Sequence, residues 1–206
     1  MTSYARSERR ALSDLMLEEG PDAPTLCEGW TVRDLAAHLV LRERRPDAAA
    51  GIIVGPLRSY TERVQRQLRA RPWAPLVEDV RSGPPVLLRA VDEQMNLVEM
   101  FVHHEDVRRA PPGREPRSLD PGEEGALWRR LVPMARLMRR RLPVGVTLEA
   151  PGFGQVEVRT GDPHVTITGP PGELVLFVSG RQSVARVHLS GPLDAGAKLR
   201  SARLGL

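Results

Sequence analysis

The chain has 206 residues, 41% of them hydrophobic and 27% charged, enough for one sizeable domain or a medium domain plus a small one, and too apolar for a disordered chain. Its single cysteine, Cys27, excludes an intrachain disulfide and a cysteine-rich zinc site, and an aromatic content of 4% argues against base-stacking nucleic-acid platforms. The net charge is only +4; the sequence pI of 10.1 is high because Lys198 is the sole lysine and every other basic residue is an arginine, which does not deprotonate in the usual range.

The elements follow in chain order. Tyr4 to Glu19 carries Leu12, Leu15 and Met16 at helical spacing and stops at Gly20-Pro21. Asp22 to Gly29 reads as a loop. Thr31 is placed as an N-cap with Asp34 in the capping-box position, and Val32, Leu35, Ala36, Leu39 and Val40 keep the 3.6 period to about Arg44. A third helix is expected over Leu57 to Ala70, with Val64 and Leu68 inward. A short helix follows Pro72 and Pro75 before Gly83-Pro84-Pro85. A long helix runs from about Pro85 to Ala110, and a last one from about Gly122 to Arg141. Arg139, Arg140 and Arg141 read as a solvated helix end.

After Leu142-Pro143 the period changes from 3.6 to 2. Val144 to Leu148, Gln155 to Arg159, Val165 to Thr168 and Val184 to Leu189 read as strands. Leu174 to Val178 fits a strand or a buried helix equally, and Ala195 to Leu204 reads as a closing helix. The boundary is therefore expected at 142/143, with domains over 1–142 and 143–206. No apolar run approaches the roughly 20 residues of a membrane span. The first ten residues lack the apolar segment of a signal peptide, so a cytoplasmic protein is expected.

The chemistry concentrates on the histidines. Glu99 and His103 are four residues apart in the long helix, about 40° apart around its axis and one turn along it. Glu99 flanks the apolar stripe of Val91, Met95, Val98 and Val102, where a carboxylate is costly unless paired or bound to a cation. His38, one turn after Asp34, flanks the stripe of its own helix. Metal sites in helical bundles are assembled from inward side chains on facing helices. His38, Glu99 and His103 would leave a position open for water or substrate, as catalytic zinc sites do; a ferrous ion accepts the same ligands. Chance surface placement of the pair is the competing reading.

His104 points about 100° from His103, toward solvent or a neighbouring helix. Asp106 could orient the His103 imidazole or pair with Arg109. Glu28 reads as a polar turn residue, Trp30 as core, and His164 and His188 as ordinary strand or surface residues. Cys27 has no histidine adjacent in sequence and reads as a small buried hydrophobe.

The stretch from Thr25 to Leu39, Thr-Leu-Cys-Glu-Gly-Trp-Thr-Val-Arg-Asp-Leu-Ala-Ala-His-Leu, resembles the first metal motif of the mycothiol-dependent maleylpyruvate isomerase family, within the DinB-like metalloproteins. Glu99 to Ala110 resembles the second. The resemblance covers roughly residues 4 to 142. It implies a four-helix bundle holding a divalent metal, usually zinc, on His38, Glu99 and His103. The segment from Val165 through Arg181 is similar to that family's small sterol-carrier-like α+β domain with a mostly antiparallel sheet, which would make Leu174 to Val178 helical. The resemblance also suggests Arg181 as a group that holds a substrate anion. It implies a low-molecular-weight thiol, mycothiol or a relative, as cosubstrate. The metal would deprotonate this thiol for attack on an electrophilic small molecule, giving transferase or isomerase chemistry. Hydrolysis at the same metal, or ligand binding without catalysis, are the alternatives. A small-molecule substrate is expected, no nucleic acid or membrane, and a monomer or homodimer.

Overall fold

The computed structural model describes residues 3–49, 51, 55–85 and 92–205. They form two compact units, Met1–Arg114 and Glu115–Leu206. The first is helical and the second is a small α+β unit, the two-part architecture expected from the sequence. Among the described residues no helix is long and apolar enough to cross a membrane.

In the first unit, helix α1 (Tyr4–Glu19) starts at Ser3, whose hydroxyl accepts the Arg6 N–H, and ends at Gly20 with φ +86°. This is a backbone conformation that glycine adopts without strain. Helix α2 (Val32–Arg44) opens on the expected capping box: Asp34 N–H donates to Thr31 Oγ1, and Thr31 N–H donates to an Asp34 carboxylate oxygen. That cap fixes where the helical turns fall, and so where His38 points. A short helix, α3 (Pro46–Ala49), follows; α4 (Arg58–Arg69) and α5 (Trp73–Ser82) take the places expected for the next two helices. Helix α6 covers Asp92–Arg108. The expected start of that helix, residues 86–91 with Val91 among them, lies outside the described residues, and so does the Met95 side chain.

Helix α1 packs along α6 and α5, and α2 packs on α4 and α5. Leu12 and Met16 of α1, Leu35 and Leu39 of α2, Leu76 and Val80 of α5, and Met100 of α6 share one core. Burying each such side chain stabilises the fold by about 1.5–3 kcal/mol.

That core contains a charged group that hydrophobic patterning did not anticipate. Arg9 is 1% exposed. Its Nη1 and Nη2 donate to the two Glu43 oxygens, each at 2.7 Å, and Nη2 also donates to Asp92 Oδ1 at 2.8 Å. Burial pushes the Glu43 carboxyl above its ordinary value, against the pull of Arg9.

In the second unit, helix α7 (Pro121–Leu137) is capped by Asp120, whose carboxylate accepts the Gly122 N–H. A 3₁₀ turn over Arg139–Arg141 follows, its three arginines exposed. Strands β1 (Gly145–Ala150), β2 (Gly154–Arg159), β3 (His164–Thr168) and β4 (His188–Ser190) form a sheet in the order β2-β1-β3-β4. β1 is antiparallel to β2 and parallel to β3, and β3 is antiparallel to β4. In β3, Val165 and Ile167 are buried while His164, Thr166 and Thr168 are half-buried, the period-2 pattern of a strand with one face on a core. Leu174 to Val178 belongs to a helix, α8 (Pro171–Val178), and α9 (Leu193–Ser201) follows β4.

Two expectations need correcting. Only His188 and Leu189 of the segment Val184–Leu189 are in a strand; Val184 and Ala185 instead donate their N–H groups to the Arg181 carbonyl in a turn. The change from helix to strand at 142/143 is not where the units divide, because α7 packs on α8 and β2 and so belongs with the sheet. Inside the second unit, the cavity lined by Met138, Leu148, Phe177 and Leu204 measures about 10 Å³. A drug-sized ligand needs roughly 300 Å³ or more, so this cavity as it stands is too small for one.

Candidate metal centre

Helices α2 and α6 bring three donors together within the first unit. Glu99 Oε1 lies 3.8 Å from His38 Nε2 and 3.2 Å from His103 Nε2. All three donor atoms lie within 4.8 Å of one another. Donors about 2.0–2.1 Å from a tetrahedral ion sit roughly 3.3 Å apart, so these separations fit a zinc-sized ion with small side-chain adjustment. Two neutral nitrogens and one carboxylate are the donor set such an ion accepts.

The far side of His103 supports this. Its Nδ1 lies 2.9 Å from Asp106 Oδ2, and Asp106 is 0% exposed. An Nδ1–H donated to Asp106 fixes the tautomer and turns the Nε2 lone pair toward Glu99 and His38. Trp30 borders the site, its ring centre 5.0 Å from that of His38.

Cys27 is more than a small apolar filler. Its thiol donates to Asp106 Oδ2 at 3.2 Å, and its sulfur lies 3.9 Å from His103 Nδ1. The loop carrying it is tied down by Leu26 N–H, which donates to the Asp106 carbonyl, and by Thr25, whose hydroxyl donates to the Trp30 carbonyl. Cys27, His103 and Asp106 thus form a second group of donors within 4.8 Å of one another, on the opposite nitrogen of the shared imidazole. An ion there would displace the carboxylate that orients His103, which favours the first group.

The charges around the site are coupled. Burial alone would raise the Glu99 carboxyl, but hydrogen bonds with His103 and His38 and the nearby Arg42 charge hold it well below the usual carboxylate range. Burial alone would lower His103, but Asp106, Cys27 and Glu99 hold it well above the ordinary imidazole value. Burial keeps His38 below that value, against the pull of Glu99. In the metal-free protein His103 is therefore the protonated partner. Its contribution to stability is full below the unfolded value of about 6.5 and is lost as pH rises through the higher folded value. An ion on Nε2 must displace that proton. Zinc added to metal-free protein in weak buffer at pH 7 is expected to release about one proton per ion. Zinc uptake without proton release would show that His103 Nε2 is not a ligand.

The remaining sequence-marked residues are placed as follows. His104 is buried against α1, its Nδ1 2.8 Å from Glu8 Oε2. Arg109 pairs with the buried Glu105. Glu28 is exposed, as a turn residue should be. His164 Nε2 meets Thr147 Oγ1 at 2.9 Å in the sheet, and His188 is exposed. Arg181 follows α8 in the second unit. Its Nη1 donates to the Ser179 carbonyl at 2.6 Å and its backbone N–H donates to the Leu176 carbonyl at 2.9 Å, so it satisfies carbonyls at the helix end.

Two site neighbours went unread in the sequence. Arg42 lies one turn beyond His38 on α2, its Nε 3.4 Å from Glu99 Oε1. Asn96, one turn before Glu99 on α6, accepts from Arg42 Nη1 at 2.6 Å and donates to Asp92 Oδ1 at 2.7 Å. The available signal was helical spacing, since residues four and three positions away share the faces of His38 and Glu99.

Residues 4–95 match the family model described as the mycothiol maleylpyruvate isomerase N-terminal domain. The matched stretch is somewhat under half of the chain; it includes His38 and ends before Glu99. Comparison with the curated proteins and with the solved structures returned no match.

Proposed function

We propose that this chain is a divalent-metal enzyme that joins a low-molecular-weight thiol to a small electrophile, by transfer or by isomerisation through the adduct; the match of residues 4–95 to the mycothiol maleylpyruvate isomerase N-terminal domain model supports this reading. The observation that carries the reading is the convergence of His38 from α2 with Glu99 and His103 from α6, backed by Asp106 on the other side of His103.

In this reading His38, Glu99 and His103 hold the ion and zinc suits the donor set. When bound, such an ion supplies a Lewis acid that lowers the pKa of a thiol or water beside it. The chain's own residues do the rest. Asp106 holds the His103 ring in one orientation. Glu99 brings the one negative charge among the three donors. Trp30 presents an apolar wall beside His38 that limits access of water. No protein nucleophile is required, since the attacking sulfur arrives with the cosubstrate. For Arg181 the proposal is that its guanidinium binds an anionic group of a ligand; a lower kcat/KM in Arg181→Ala at unchanged metal content supports it, and unchanged kinetics removes it.

The test is turnover. Zinc-loaded protein with mycothiol and an activated electrophile is expected to form the thiol adduct, and Glu99→Gln is expected to abolish this. Turnover of an ester or amide at the same rate without any thiol would overturn the thiol reading in favour of hydrolysis.

A further inference from the structure

The second unit carries a cleft that the metal reading leaves unused. It measures about 440 Å³, within the range of small-molecule sites and far larger than the interior cavity of the same unit. Arg139 and Arg140 of the 3₁₀ turn line it together with Glu157, Val158, Arg159 and Thr160, at the end of β2. β2 is an edge strand, and its register on β1 shifts by one residue here. Thr147 pairs with Glu157 and Val146 with Arg159, which leaves Val158 as an extra residue. Such a bulge bends a strand and re-aims its side chains.

The charges lining the cleft do not cancel: three guanidinium groups meet one carboxylate. Arg139 Nη1 donates to the Arg136 carbonyl at 3.4 Å, as a cation at a helix end does. The guanidinium groups of Arg140 and Arg159 have no hydrogen-bond or ion-pair partner among the described residues. Arg159 belongs to the sheet, so a helix end does not account for it. Concave walls concentrate the field of such a cluster. A phosphate monoester carries roughly −1.5 to −2 charges near pH 7 and three acceptor oxygens, which matches this excess of arginine. The volume equals that of roughly fifteen waters in the liquid, so an organic body fits beside the phosphate. Glu157 can accept a hydroxyl of that body. The same carboxylate repels an extended nucleic-acid backbone, which would have to run its phosphates past it.

We propose that this cleft binds a soluble phosphate monoester with a hydroxyl-bearing body, of which a sugar phosphate is the simplest case. Arg139, Arg140 and Arg159 hold the phosphate. The test is calorimetric titration of ribose 5-phosphate into the full chain at low salt and about pH 7.5, where the phosphate is largely a dianion. Wild type is expected to bind it and to ignore ribose. Arg140→Gln and Arg159→Gln are each expected to weaken binding about tenfold or more. Arg200→Gln removes the same charge from an exposed position on α9 outside the cleft, and is expected to leave binding within about twofold. Glu157→Gln is expected to bind inorganic phosphate more tightly than wild type, because a repelling charge is gone. A wild type that ignores ribose 5-phosphate, or an Arg159→Gln variant within about twofold of wild type, overturns the inference. An equal loss in Arg200→Gln also overturns it and makes the attraction a property of the net charge. Binding of phosphatidic acid vesicles or single-stranded RNA by a chain that ignores ribose 5-phosphate overturns it in favour of a lipid surface or a nucleic acid.

Discussion

Replacing Arg9 by leucine is expected to destabilise the helical unit by about 3–5 kcal/mol. The guanidinium spans two carboxylates inside the core, and its side chain and that of Glu43 are 2% and 3% exposed. Taking these charges out of water costs several kcal/mol per ion, and their attraction repays it only because the geometry is good. That near-balance is visible in Glu43, where burial outweighs Arg9 and leaves the carboxyl raised. The intact group therefore adds little net stability, while removing the arginine leaves Glu43 without its bidentate partner and Asp92 with less support. Urea unfolding of the full chain, followed by helical circular dichroism, measures the loss. The double variant Arg9→Leu with Glu43→Leu is expected to recover part of it, since replacing both members of a buried pair by apolar groups is often neutral. A loss below about 1 kcal/mol in Arg9→Leu would mean that water reaches this group and that the burial is misplaced.

Replacing His103 by alanine is expected to weaken zinc binding by at least about a hundredfold, more than any other single change at the site. His103 is the shared element: one nitrogen faces Glu99 and His38, the other faces Asp106 and Cys27. Asp106→Asn keeps the three donors and loses the charge that orients one of them, so a smaller loss of about 10–100-fold is expected. Cys27→Ser is expected to keep full zinc, because the thiol bonds to Asp106 and not to the first donor group. Competition with a chelator of known affinity orders the three. A Cys27→Ser variant weaker than Asp106→Asn would contradict the ranking.

Much of the scaffold around this site is local and was legible. The Thr31–Asp34 capping box, the apolar period of α2 and the four-residue step from Glu99 to His103 all depend on residues within a turn or two of each other. Convergence of His38 with that pair depends on how α2 meets α6, which spacing along one helix does not encode; it was reached through the resemblance of the Thr25–Leu39 and Glu99–Ala110 stretches to known metal motifs. Contacts with no local signature were missed. Cys27 meets His103 and Asp106 across separations of 76 and 79 residues. Arg9 meets Glu43 across 34 residues and Asp92 across 83, against the general tendency of charged side chains to face water. Val184 to Leu189 has the β-branched texture of a strand, yet its first residues are drawn into a turn by hydrogen bonds to Arg181. Helix α7 carries the same 3.6 period as the helices before it, and periodicity does not reveal which unit an amphipathic face packs against.

X-ray absorption at the zinc edge of the loaded chain, without added thiol, tests the central assignment most directly. Ligation by His38, Glu99 and His103 predicts a shell of nitrogen and oxygen at about 2.0–2.1 Å with imidazole outer-shell scattering and no sulfur. A sulfur scatterer at about 2.3 Å would place the ion on Cys27, His103 and Asp106 instead and contradict the assignment.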